Sequence, residues 1–139
     1  MTHDSDCIFC RIANGQSSAR IVYETERFVC FFPISPDVYG HTLIVSRDHY
    51  SDLRNCPTEL GTDLIATVQM LFERYRERIA ATGFNLLNAN GKSAEQSIDH
   101  LHFHFFPRFP EDGLNAWPVM PKIEPDLDKL FRLLSGDVD

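Results

Sequence analysis

Long apolar runs are missing from this chain. No stretch of about 18 or more apolar residues occurs, so no membrane-spanning helix is expected. The N-terminus from Met1 to Cys7 is polar and acidic. It lacks the charged-then-apolar layout of a signal peptide, and a cytoplasmic protein is expected. Cysteine is scarce. Four residues (Cys7, Cys10, Cys30, Cys56) are few for a disulfide scaffold and suit a reducing compartment. Basic clusters are missing too: 13 Lys and Arg face 20 Asp and Glu, for a net charge of −7. That excludes the usual footprint of a duplex nucleic acid binder. It does not exclude a small phosphate compound, which is held by local donors rather than by the global field. Internal repeats and low-complexity segments are absent. The chain does hold apolar mass: 43% of its 139 residues are hydrophobic and 11 are phenylalanine. One domain over residues 1–139 with a substantial core is expected.

The most informative stretch runs from Gln96 to Arg108. His100, His102 and His104 occupy every second position, and Leu101, Phe103 and Phe105 alternate with them. This is the period of a β-strand, with imidazoles on one face and apolar residues on the other. Pro107 is expected to end the strand, because it has no N–H for a ladder. An imidazole row of this kind has two chemical uses. It can hold a metal through neutral ring nitrogens, or it can supply a nucleophile that attacks a phosphoryl or acyl centre.

Other segments read as follows. Cys7 and Cys10 have the C-x2-C spacing that can grip a tetrahedral zinc. A redox pair and two unrelated thiols are the alternatives. Ile8, Phe9, Ile12 and Ala13 predict a short helix ending near Asn14-Gly15. Residues 19–23 and 28–32 predict a hairpin, and residues 42–46 a third strand. His41 and His49 flank that strand. Residues 57–81 predict a long helix. Its apolar stripe is Leu60, Leu64, Ile65, Val68, Leu71, Phe72, Tyr75 and Ile79, with Thr82-Gly83 as the stop. Residues 84–89 predict a fourth strand antiparallel to the histidine strand, joined to it by the loop 90–95. After Arg108 the chain is extended and Pro-punctuated around Trp117, the one tryptophan. A short helix over 124–134 ends it, with Leu127, Leu130, Phe131 and Leu134 on one face.

The run His100-Leu101-His102-Phe103-His104, with Gln96-Ser97 upstream and Pro107-Arg108 downstream, resembles the signature of the histidine-triad (HIT) family of nucleotide hydrolases and transferases. Residues 7–12 and 40–45 match further family segments in the same order. The resemblance covers about residues 7–108. It implies an α+β fold: a five-stranded antiparallel sheet with one long helix and short terminal helices. It also implies a homodimer, with the extension 109–139 at the interface. The zinc-containing branch is the better match, which implies a structural zinc on Cys7, Cys10, His49 and His100.

By the same resemblance His102 is the nucleophile. It attacks the α-phosphorus of a nucleotide, giving a nucleotidyl-histidine that water hydrolyses. A backbone carbonyl is expected to fix its tautomer. His104 and His41 would hydrogen-bond the phosphate oxygens. His100 supports the row, Gln96 holds the bridging atom or water, and Ser97 reaches the leaving group. Ile8, Phe9, Ile12, Phe31 and Ile34 correspond to the apolar base pocket. Three positions depart from the pattern. Pro33 stands where a ribose acceptor is usual, Glu95 replaces a glycine, and Asp99 replaces an apolar residue.

The expected substrate is a nucleoside phosphoramidate or a dinucleoside polyphosphate. Two other readings are kept. One is a non-catalytic nucleotide-binding or scaffold protein, argued by Pro33 and Glu95. The other is a metal-dependent hydrolase with His100, His102 and His104 around one ion.

Overall fold

The structure is a computed structural model that describes residues 4–136. The outermost residues of the expected 1–139 domain lie outside the described ones. Eight regular elements follow in order: α1 (Ile8–Ala13), β1 (Ile21–Glu24), β2 (Phe28–Phe31), β3 (Thr42–Ser46), α2 (Leu60–Ile79), β4 (Gly83–Leu87), β5 (His102–Arg108) and α3 (Leu127–Ser135). The strands form one sheet in the order β1-β2-β3-β5-β4, and every neighbouring pair is antiparallel. This is the expected α+β architecture.

Strand alternation divides the core between the two sheet faces. Phe28, Cys30, Ile44, Phe103 and Phe105 pack with Leu60, Val68, Leu71 and Tyr75 of α2. Val29, Phe31, Leu43 and Val45 pack with Phe9 and Ile12 of α1. Strands β2 and β3 are therefore buried on both faces, and they read as continuous rather than alternating apolar runs. The register then places the histidines. His104 lies opposite Leu43 and His102 opposite Val45, so both rings stand on the α1 face.

Most element boundaries shift by a few residues from the sequence reading, and four differences have a clear physical cause. Helix α2 starts at Leu60, because Leu60, Gly61 and Thr62 bond back to Pro57, Thr58 and Glu59 in tight i→i+3 turns before it. It stops at Ala80, not at Gly83. Ala80 adopts φ 62°, and the Ala80 and Ala81 N–H groups cap the carbonyls of Arg76 and Tyr75. Ile65 is 61% exposed, because five residues after Leu60 is off the buried stripe. Finally, β5 begins at His102 and continues through Pro107. Strand β3 starts at Thr42 opposite Phe105, so the end of β5 is laddered on the β4 side alone. A residue without an N–H fits there.

One glycine is required by contact. Gly40 has φ 80°, and a Cβ there would lie 2.6 Å from Pro107 Cγ. The turn into β3, and with it His41, is thereby seated against the end of β5.

Candidate functional site

Two clusters share the imidazole row. The first gathers Cys7 and Cys10 of the α1 turn, His49 after β3, and His100 before β5. Their ligand atoms all lie within 4.8 Å of one another. Cys7 Sγ is 3.2 Å from His100 Nδ1, Cys10 Sγ is 3.2 Å from His49 Nδ1, and the two Nδ1 atoms are 3.1 Å apart. A tetrahedron with zinc–nitrogen and zinc–sulfur bonds has edges of roughly 3.3–3.8 Å. The far side of the His100 ring sets its tautomer. Nε2–H donates to the Ser46 carbonyl at 2.7 Å, so Nδ1 presents its lone pair to the thiols. Cys10 is fully buried, and burial is the first cause that pushes its thiol up to about 11. Two sulfurs and two ring nitrogens with lone pairs aimed at one centre suit a tetrahedral cation of zinc type, and the residues fit that group. The expected ligand set is the one the fold brings together.

The second cluster is His41, His102 and His104. His102 Nδ1–H donates to the His100 carbonyl at 2.7 Å, which leaves the lone pair on Nε2. Its ring sits edge-on to Phe9, 5.2 Å between centroids, and edge-on to His104 at 5.3 Å. The Asp37 N–H donates to His41 Nδ1 at 3.0 Å. Neutral His41 therefore carries its proton on Nε2 and donates it to His104 Nδ1 at 2.9 Å. His104 in turn carries its own proton on Nε2. A nucleophilic lone pair and an N–H donor are thus presented by adjacent rings. His41 reaches the site through His104, not as a separate donor.

Electrostatics keep His41 and His104 neutral. Burial first, and then the facing His102 and His41 rings, push His104 down to about 4. Burial also lowers His41, against a weaker pull from Asp37. Both rings are neutral near pH 7 and serve as hydrogen-bonding groups, not as cations.

The loop before the row is braced. Gln96 Oε1 accepts the Gly91 N–H at 2.8 Å, and Nε2 donates to the carbonyls of Ser51 and Ile98 at 2.7 and 2.9 Å. The Gln96 amide thus holds the loop closed. Ser97, Asp99 and Glu95 are exposed, and Glu95 adopts φ 67°. Phe9, Ile12 and Phe31 belong to one apolar cluster, with Phe9 against the His102 ring, whereas Ile8 is exposed and does not pack in it. Ile34 is not in that cluster either. It is fully exposed and lines a different cleft, with Pro33.

Two positioning groups escape the sequence reading. Asn88 Nδ2 donates to the His102 carbonyl at 2.8 Å, and the Ser46 carbonyl receives His100. An acceptor on the backbone leaves no residue-type signal. Asn88 read only as part of the fourth strand.

Known proteins resemble this chain in sequence and fold. The HIT domain family matches residues 14–111. An uncharacterised HIT-like protein of Methanocaldococcus jannaschii is 38% identical over 131 residues, covering 94% of this chain and 99% of its own. An adenosine 5′-monophosphoramidase of Saccharomyces cerevisiae is 34% identical over 134 residues, covering 95% and 80%. The crystal structure of a zinc-bound histidine triad family protein from Mycobacterium smegmatis superimposes with a TM-score of 0.73. It is 34% identical, with 92% of this chain and 89% of that chain covered. On the matched domain and the shared fold, this chain belongs to the HIT domain family.

Proposed function

We propose that the chain cleaves nucleotides at the α-phosphate, with a nucleoside phosphoramidate as substrate. The observation that carries this reading is the pairing of tautomers. His102 presents an Nε2 lone pair beside the Nε2–H of His104. Attack by His102 Nε2 forms a nitrogen–phosphorus bond while the phosphorus–nitrogen bond to the leaving amine breaks. The His100 carbonyl accepts the Nδ1–H of the ring as positive charge develops on it. His104 donates to a phosphoryl oxygen, where it is stronger than in water because the site is buried. Ser97 reaches the leaving amine, which takes a proton from solvent water as the phosphorus–nitrogen bond breaks. Water then attacks the nucleotidyl-histidine, releasing the monophosphate and restoring His102. Phe9, Ile12 and Phe31 contact the base. The yeast relative named as an adenosine 5′-monophosphoramidase supports this choice over a dinucleoside polyphosphate.

The Cys7, Cys10, His49 and His100 set holds a structural zinc in this reading, and the zinc-bound mycobacterial neighbour supports it. Bound there, zinc supplies cross-linking rather than chemistry. His102 and His104 lie outside that ligand set, which argues against a catalytic ion shared by the row. The working unit is a homodimer. Residues after Arg108 support this: Trp117, Ile123, Leu127, Phe131 and Leu134 are 66–79% exposed and wait for a covering surface. The four unbridged cysteines support a cytoplasmic setting, and no helix among the described residues is long and apolar enough to cross a membrane.

The deciding experiment is a single-turnover reaction with adenosine phosphoramidate, read by intact mass. A transient adenylyl adduct, absent from His102→Ala, is expected. Binding of adenosine monophosphate with no adduct and no product, from phosphoramidate and polyphosphate alike, would instead establish a binding protein. Pro33 and the exposed Glu95 would then be the residues to revert.

A further inference from the structure

A second concave site lies at the opposite end of β3 from the Cys and His cluster. It is a cleft of about 550 Å³, a volume typical of small-molecule sites. Arg20, just before β1, and Arg74 and Arg78, one turn apart on α2, all line it. Val22, Phe32 and Ile79 supply apolar wall, and no Asp or Glu among the described residues lines it.

The charge is unusual for this molecule. The chain carries −7 overall. Arg47, Arg54, Arg76 and Arg108 are each held by a carboxylate. Arg20, Arg74 and Arg78 enter none of the ion pairs among the described residues. The dipole of α2 accounts for a cation at Arg78, in its last turn. It accounts neither for Arg20 on the strand side nor for a lining without acids. Three like charges around one cavity repel each other, and an anion relieves that repulsion.

The cleft is also preorganised. Arg74 Nη1 donates to the Val22 carbonyl at 2.7 Å, and its guanidinium lies 5.0 Å from the Tyr23 ring centroid. Those contacts hold the plane and leave further N–H donors. The Phe32 N–H donates to the Arg20 carbonyl at 3.1 Å, which fixes the backbone from which Arg20 leaves. Tyr39, 72% exposed, stands at the rim and can cover a flat ring.

We infer that this cleft is a second ligand site, which binds a small organic polyphosphate carrying an aromatic ring. The guanidiniums take the phosphate oxygens by charge-assisted hydrogen bonds, and the apolar wall takes the ring. Gly40 and His41 also border the cleft, so it shares a wall with the histidine cluster. The assignment stands on the arginines and does not depend on what His102 does.

The test uses ATP as the probe, titrated calorimetrically into the full-length His102→Ala protein so that no turnover intervenes. The same titration is repeated after adding Arg20→Ala and Arg78→Ala. One ATP equivalent per chain should depend on these two arginines, weakening by about tenfold or more in the variant. Tripolyphosphate should compete for it, more weakly than ATP because it lacks the ring. Circular dichroism should be unchanged, and the two arginine substitutions in the otherwise native chain should leave turnover intact. The inference fails if every bound equivalent survives the substitutions. It fails equally if they leave ATP binding alone and convert a dimer to monomer by sedimentation. The cleft would then be the seat of a partner copy's acidic C-terminal segment.

Discussion

His100 and His102 stand two residues apart, yet their rings are set to opposite uses. In His100 the proton is held on Nε2 by the Ser46 carbonyl, and Nδ1 faces two thiols. In His102 the proton is held on Nδ1 by the His100 carbonyl, and Nε2 keeps its lone pair. The residue type is the same, and both rings are buried. The difference lies in which nitrogen a backbone carbonyl occupies. The tautomer of each ring in this row is therefore set by a main-chain acceptor, which a side-chain pattern does not display.

The comparison breaks most sharply at His102. His102→Ala should lower turnover by about 10⁴-fold or more, while leaving bound metal and the melting temperature nearly unchanged. Single-turnover rates and metal analysis of the purified variant check this. A variant that still turns over at the native rate would end the nucleophile assignment.

Cys10→Ser attacks the other half. It should release the metal and lower the melting temperature by about 10 °C or more, since binding free energy is then lost from the folded state. Activity per folded molecule should fall less than in His102→Ala. Metal content that stays stoichiometric would remove Cys10 from the ligand set.

A smaller effect separates His104 from its neighbours. Its folded value, about 4, lies below the roughly 6.5 of an unfolded histidine. As pH falls through that window the unfolded chain takes the proton first, so stability is lost between about pH 6.5 and pH 4. His104→Asn should remove about 2 kcal/mol of that loss, allowing for partial exposure of the ring. Urea unfolding of both proteins at about pH 7 and about pH 4.5 gives the double difference. Identical pH slopes would show that His104 titrates normally.

The smallest change expected is a gain. Glu95 holds φ 67° without being glycine, so Glu95→Gly should stabilise by about 1 kcal/mol. The midpoint of a urea titration would rise slightly, and a fall would mean that the loop relaxes in solution.

Much of this was legible beforehand. The strands of the sheet and the long helix follow from periodicity, and the pairing of Cys7 with Cys10 from their spacing, because burial and close approach leave patterns in residue type. The strand through Pro107 did not, because its tolerance depends on β3 running out opposite Phe105. Ala80 as helix stop was hidden for a similar reason, since a left-handed alanine has no sequence mark. Gln96 read as a substrate contact, whereas its amide is taken up by Gly91, Ser51 and Ile98. The role of Asn88 rests on a main-chain carbonyl. Ile34 was misplaced because an apolar residue between two prolines reveals nothing about which cleft it borders.

The ligand cluster also sets an order of assembly. Cys7 and His100 are 93 residues apart in the chain, so their meeting closes one of its longest loops, an entropically late event. The carbonyl that orients His102 belongs to that same His100. Competence is therefore acquired at the end of folding, after the sheet exists. In refolding experiments, turnover should return later than the sheet signal, and a chain that is folded but unclosed at its N-terminus should turn over more slowly.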